Sequence, residues 1–134
     1  MIKDITIIRP RYDEVDQMGY VYHGNYVKYC HQARTELMRK INIHDASLES
    51  QNIMMPVIEM NLKYHNPSGY DEELTIETIV EDIPEVKLNF KFKMYGNDNK
   101  LICSAKSTVV FVDSISRKPM RIPDFIKESF KKYK

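Results

Sequence analysis

Only one stretch of this chain carries a long helical period, and after residue 55 most of the apolar pattern repeats every second residue. From about Gly24 to Lys40, Tyr26, Tyr29, Cys30, Ala33, Leu37 and Ile41 recur at spacings of three and four, the mark of one buried stripe. A lone striped helix has no helical neighbour to bury it, so strands must. They are predicted at 57–65, 73–81, 86–95 and 100–112, with a first one at 3–12 interrupted by Arg9-Pro10. In the first, Ile58, Met60, Leu62 and Tyr64 oppose Glu59, Asn61, Lys63 and His65; in the third, Leu88, Phe90, Phe92 and Met94 oppose Lys87, Asn89, Lys91 and Lys93. Gly96-Asn97-Asp98-Asn99 reads as a hairpin turn. Short connections imply antiparallel neighbours and an α+β fold. Ser107 to Val112 is largely apolar on both faces, which suggests cover on both sides. A short helix is expected at 123–133. One helix covers one sheet face, so the other calls for a partner and the chain for an oligomer.

At 134 residues the chain is expected to form one domain, residues 1–134, able to bury roughly two thirds of its unfolded surface. A net charge of +1 gives no field to favour nucleic acid or an anionic membrane. No apolar run approaches the roughly 20 residues of a membrane span, and no signal-peptide core opens the sequence. Cys30 and Cys103 sit in apolar periodic segments, as buried free thiols would in a reducing cytoplasm. His23, His31, His44 and His65 lack metal-ligand spacing, so no metal is expected, and with no Walker phosphate loop or dinucleotide fingerprint no cofactor is expected either.

Ionisable residues gather where the chain enters the helix. The elbow at 13–24 carries an acid at Asp16, a pivot at Gly19 and an imidazole at His23. A helix starting near Gly24 offers free N–H groups and the positive end of its dipole, and a glycine there admits close approach to the backbone. Asn25 is a candidate N-cap or backbone clamp. Asp16 reads locally either as a turn residue bonded to its own backbone or as a base or nucleophile.

The run Tyr12-Asp13-Glu14-Val15-Asp16-Gln17-Met18-Gly19-Tyr20-Val21-Tyr22-His23-Gly24-Asn25-Tyr26, continued by Ala33-Arg34-Thr35-Glu36, resembles the signature of hotdog-fold acyl-CoA thioesterases of the 4-hydroxybenzoyl-CoA thioesterase-like and YbgC-like group. Tyr64-His65-Asn66-Pro67 and Asp71 extend the likeness, which covers nearly the whole chain. It implies a single hotdog domain, an antiparallel sheet wrapped around one long central helix, paired into homodimers and commonly homotetramers with active sites between protomers. Asp16 matches the catalytic aspartate and His23 the histidine near the helix entrance; Gly24 and Asn25 fall at the helix N-terminus that polarises the thioester carbonyl. Many relatives have threonine where this chain has Val15, and glutamate where it has His31.

The reading that follows is a cytoplasmic enzyme that hydrolyses an acyl-CoA to the acid and free thiol. The alternatives are a thioesterase of the same fold acting on acyl-acyl-carrier protein, and a non-catalytic acyl-thioester binding or structural protein. Tyr20, Tyr22, Tyr26, His31 and Tyr64 are candidates for the acyl pocket or for plain packing. Arg117, Lys118 and Arg121 are candidates for the CoA phosphates, with Lys127, Lys131, Lys132 and Lys134 beyond them.

Overall fold

The computed structural model describes residues 1–133. Strand β1 (Ile2–Ile8) ends at Arg9-Pro10, short of the expected residue 12, because proline offers no ladder donor. The elbow follows, opening with a single 3-10 turn at Tyr12–Glu14. Helix α1 (Asn25–Lys40) is the long helix, capped by Gly24 rather than Asn25. Next come α2 (Asp45–Ser50) and β2 (Ile53–Met54), then β3 (Val57–Tyr64), β4 (Leu74–Val80), β5 (Lys87–Tyr95) and β6 (Leu101–Asp113). A short β7 (Pro119–Met120) and α3 (Asp124–Lys132) follow them. The two-residue strands β2 and β7 carry too little pattern to be read from sequence.

The sheet runs β1-β4-β5-β6, every pairing antiparallel, with β3 and β2 completing the far edge of β6 and β7 extending the near one. Register aligns the alternating apolar residues into rows: Thr6, Ile76, Met94, Cys103 and Tyr64 form one, and Asp4, Thr78, Phe92, Ala105 and Leu62 the next. This inner face meets α1, whose Tyr26, Tyr29, Cys30, Ala33 and Leu37 are all buried, as is Ile41 just past its end, against β1 and β4. In β1 the inner face is the mixed one. Asp4 is buried there because Lys40, in the last turn of α1, reaches it at 2.8 Å, while Ile5 and Ile7 stay exposed. Phe130 and Ile126 of α3 close one end of the core.

The double cover expected for Ser107 to Val112 is absent from the single chain. Ser107, Val109 and Phe111 are buried, but Thr108, Val110 and Val112 are only half-buried. The opposite sheet face is polar, with Lys63, Lys91, Lys93 and Lys106 on adjoining strands. Among the described residues β3 has a neighbouring strand on one side only, and Val57, Ile58 and Tyr64 are each at least half exposed.

Candidate active site

The elbow is a small hairpin laid against the start of α1. Val15 and Val21 form its bridge, the Asp16 N–H donates to the Tyr20 carbonyl at 2.7 Å, and the Gly19 N–H donates to the Asp16 carbonyl at 3.0 Å. The half-buried carboxylate of Asp16 takes part in the turn: Oδ1 accepts from the Met18 N–H at 2.8 Å and the Tyr20 N–H at 3.2 Å. Among the described residues nothing donates to Oδ2. The turn reading and the chemical reading of Asp16 are therefore compatible, because one oxygen anchors and the other is free.

Gly19 lets the hairpin reverse, at φ +80°, with open space where a Cβ would stand. Gly19→Ala is thus expected to cost about 1–2 kcal/mol through backbone strain alone. Urea unfolding reads that cost, and an unchanged midpoint contradicts it.

The return arm is pinned to the loop before β4. The Val21 N–H donates to the Ser68 carbonyl at 2.8 Å, and the buried Ser68 hydroxyl lies 2.7 Å from the Tyr26 hydroxyl. The arm then turns into α1: the Asn25 N–H donates to the Tyr22 carbonyl at 2.9 Å and the Tyr26 N–H to the His23 carbonyl at 3.3 Å. Among the described residues, no backbone carbonyl accepts from the N–H of His23 or Gly24. Those two donors open outward at the positive end of a 16-residue helix. Asn25 acts as the clamp: its Nδ2 donates to the Glu14 carbonyl at 2.8 Å, and its own N–H is engaged.

Aromatic rings surround this mouth. The His23 ring lies 4.5 Å from that of Tyr22 and 6.1 Å from that of Tyr64, whose hydroxyl donates to the His23 carbonyl at 3.3 Å. Tyr20, Tyr22 and Tyr64 are about half exposed, whereas Tyr26 is buried beneath them with its hydroxyl bound to Ser68. Gly24 permits the arrangement, because a Cβ there would stand 2.9 Å from the Tyr22 ring.

The residue that sequence reasoning missed is Glu14. It is 7% exposed, and its Oε1 accepts from the Arg11 N–H at 2.8 Å and the Tyr29 hydroxyl at 2.9 Å while Oε2 pairs with Lys28. Burial pushes the Glu14 carboxyl up, but Lys28, the Arg11 N–H and the Tyr29 hydroxyl outweigh it and hold the group below its ordinary value. Burial and then the Glu14 carboxylate push the Tyr29 phenol upward. Apart from the Arg11 N–H, the side-chain partners of Glu14 lie fourteen and fifteen residues away, so sequence proximity does not mark the clamp to α1.

Other expected residues stand apart. His31 is two turns along α1, its Nδ1 3.2 Å from Arg34; partial burial and then the Arg34 charge push its imidazole below the usual value. Arg117, Lys118 and Arg121 flank β7 at the end of β6 where Val112 pairs with Met54 and Pro119. The elbow's neighbour Tyr64 pairs with Cys103 near the other end, about 30 Å along the strand. Within one chain these basic residues and the elbow are not brought together. Lys127 and Lys131 have acid partners at Glu85 and Glu128, and Lys134 lies outside the described residues. Cys30 and Cys103 are free and buried; burial raises both thiols, Cys103 to about 11. A cavity of about 440 Å³ lies away from the elbow, lined by Arg34, Met38, His44, Leu48 and Met54.

With an α+β antiparallel sheet, a single long helix on it and an acid-bearing elbow at the helix mouth, the chain belongs to the hotdog-fold, thioesterase-like superfamily, which matches residues 10–130. The acyl-CoA thioester hydrolase YbgC of Escherichia coli O6:H1 is 31% identical over 124 residues, 92% of each chain. YneP of Bacillus subtilis is 32% identical over 114 residues, 85% of this chain and 83% of that protein. The solved DHNA-CoA thioesterase of Staphylococcus aureus is 30% identical and superposes with a TM-score of 0.90, covering 98% of this chain and 91% of that one. No helix among the described residues is long and apolar enough to cross a membrane.

Proposed function

We propose that this chain, as one domain whose sheet curls around α1, hydrolyses an acyl-CoA thioester to the free acid and coenzyme A in the cytoplasm. The observation that carries the reading is the elbow: among the described residues one oxygen of the Asp16 carboxylate has no hydrogen-bond partner, and no backbone carbonyl accepts from the N–H groups of His23 and Gly24, where the same elbow enters α1. The carbonyl oxygen of the thioester takes the His23 and Gly24 N–H groups, where the negative charge grows as the carbon becomes tetrahedral. Asp16 Oδ2 serves as base for water or attacks the carbon itself. In either route the C–S bond breaks, the acyl carbon gains oxygen and the CoA thiolate takes up a proton. The His23 ring borders the carbonyl, and Tyr20, Tyr22 and Tyr64 form the apolar approach for the acyl group. A single turnover in heavy-oxygen water tests for direct attack: if water opens the resulting anhydride at the Asp16 carboxyl carbon, the first acid product carries two light oxygens and Asp16 keeps the heavy one, whereas water delivered to the acyl carbon puts one heavy oxygen in the acid.

The site extends to a second copy. Tyr64 belongs both to the helix mouth and to the open edge of β3, and an unpaired apolar edge demands cover. Antiparallel pairing of two β3 edges about a two-fold axis sets one chain's Tyr64 end beside the other's Val57 end. That brings Arg117, Lys118 and Arg121 of one protomer towards the elbow of the other, where the CoA phosphates need cations. Two such dimers form the tetramer the family resemblance implies. Ile58→Asp is then expected to yield a monomer by sedimentation velocity and to lose at least about tenfold in kcat/KM. A variant that stays dimeric, or a fully active monomer, contradicts the arrangement.

The test of the hydrolytic reading is thiol release from short, long and aromatic acyl-CoAs and from matched acyl-carrier-protein esters. Turnover of at least one acyl-CoA supports it. Turnover of carrier-protein esters alone shifts the substrate class, and binding without turnover makes the chain a thioester-binding protein.

A further inference from the structure

Asp16 and the open donors of His23 and Gly24 lie on opposite arms of the elbow, so their separation depends on what ties the arms together. Besides the bridge between Val15 and Val21 and the turn's own bonds between Asp16 and Tyr20, the ties converge on one residue. The main-chain carbonyl of Glu14 accepts from the Tyr22 N–H at 2.9 Å, on the return arm, and from Asn25 Nδ2 at 2.8 Å, in the first turn of α1. Its side chain accepts from the Arg11 N–H at 2.8 Å, from Tyr29 at 2.9 Å and from Lys28, in the first two turns of α1. Five donors from three segments therefore meet at a residue two positions before Asp16, and none of the five is given by the elbow's own turn at residues 16–20.

We infer that Glu14 is a positioning residue, whose carboxylate clamped by Arg11, Lys28 and Tyr29 fixes how far the Asp16 carboxylate stands from the donors at the mouth of α1. The inference rests on the hydrolytic reading and adds to it the group that sets the geometry. Glu14 touches no substrate; it acts through Asp16. The charge matters as well as the shape. An amide at this position can still accept from the Arg11 N–H and the Tyr29 hydroxyl, but it cannot pair with Lys28. Only the carboxylate locks the elbow to the helix on both oxygens.

The sign of the pH dependence follows. In the folded chain this carboxyl lies below its ordinary value of 4.5, so the clamp is complete above that value and lost as pH falls through the folded pKa. The difference between wild type and Glu14→Gln is therefore largest near neutrality and shrinks in acid.

The experiment compares wild type, Glu14→Gln, Glu14→Asp and Lys28→Met with an Asp16→Asn control. It uses kcat and KM on an acyl-CoA that the wild type turns over, and amide hydrogen exchange over residues 16–24. Misplacing a reacting group by an ångström costs up to about a hundredfold in rate. Glu14→Gln is expected to lose about 10- to 100-fold in kcat with KM changed less than about twofold. Exchange should quicken over residues 16–24 while the middle of α1 keeps its protection. Glu14→Asp should recover most of the loss, and Lys28→Met should show a smaller loss in the same direction, which keeps the test open if Glu14→Gln does not fold. A Glu14→Gln protein that melts earlier yet keeps wild-type kcat per folded molecule overturns the inference, and so does Glu14→Asp as slow as Glu14→Gln. If wild type and Asp16→Asn turn over thioesters at the same rate, the hydrolytic reading fails separately. Exchange then decides the inference alone: unchanged protection over 16–24 in Glu14→Gln overturns it, and faster exchange there supports it.

Discussion

Replacing Asp16 with asparagine is expected to lower kcat for acyl-CoA hydrolysis by about a thousandfold while leaving the fold intact. A positioned base contributes about 10²–10⁴ in rate, and loss of a nucleophile costs at least as much. The substitution isolates the proposed chemistry because only one oxygen of Asp16 is engaged in the turn. An asparagine carbonyl can keep the Oδ1 contacts to the N–H groups of Met18 and Tyr20, so the turn stays formed. Only the free oxygen is replaced, by an amide that neither takes a proton nor attacks a carbon. Steady-state kinetics with thermal melting check both halves. A kcat within about twofold of wild type removes Asp16 from the reaction, and a collapse in melting temperature contradicts the expectation that asparagine keeps the turn formed.

The opposite separation comes from Leu37→Ala. Leu37 has no exposed surface and sits in the fourth turn of α1, on the stripe that faces the sheet. Truncation removes three carbons from a site where α1, β1 and β4 hold the walls apart. The lost transfer energy and the cavity together cost about 3–4 kcal/mol. Urea unfolding should show that loss at nearly constant m, whereas kcat per folded molecule should change little, since Leu37 is far along α1 from the elbow. A cost below about 1 kcal/mol would mean that the helix is not the element the core is built around. Neutral Asp16→Asn stability beside a large Leu37→Ala cost would establish that the reactive group and the fold are held by different parts of the same helix–sheet contact.

What was legible in the sequence was whatever has a short period. Leu74, Ile76, Thr78 and Val80 alternate, and so do Leu88, Phe90, Phe92 and Met94; all eight are buried, as their spacing predicts. The helical stripe from Tyr26 to Ile41 was equally plain. Tertiary partners decided the rest. The inward face of β1 carries Asp4, which no hydropathy rule would place inside; Lys40, thirty-six residues on, makes it tolerable. Half-exposure of Val110 and Val112 follows from cover that a single chain does not supply, since their side of β6 is the outer sheet face. In the elbow, Asp16, Gly19, His23 and Gly24 stood out by residue type, but the clamp at Glu14 did not, because Lys28 and Tyr29 come from α1. Tyr26 is buried, as its place on the helical stripe predicts, but the partner of its hydroxyl, Ser68, lies across forty-two residues of chain and no local pattern marks it. The basic residues from Arg117 to Arg121 show the same limit at larger scale: sequence order says nothing of a strand that carries them to the far end of the sheet.

The most direct measurement is a crystal structure of the Asp16→Asn protein with an acyl-CoA bound. It should place the thioester carbonyl oxygen about 2.7–3.1 Å from the N–H of His23 or Gly24. The carbonyl carbon should lie about 3–3.5 Å from the side chain of residue 16. A thioester seated elsewhere, for example in the cavity beside Arg34 and Met54, with the elbow empty, would contradict the account.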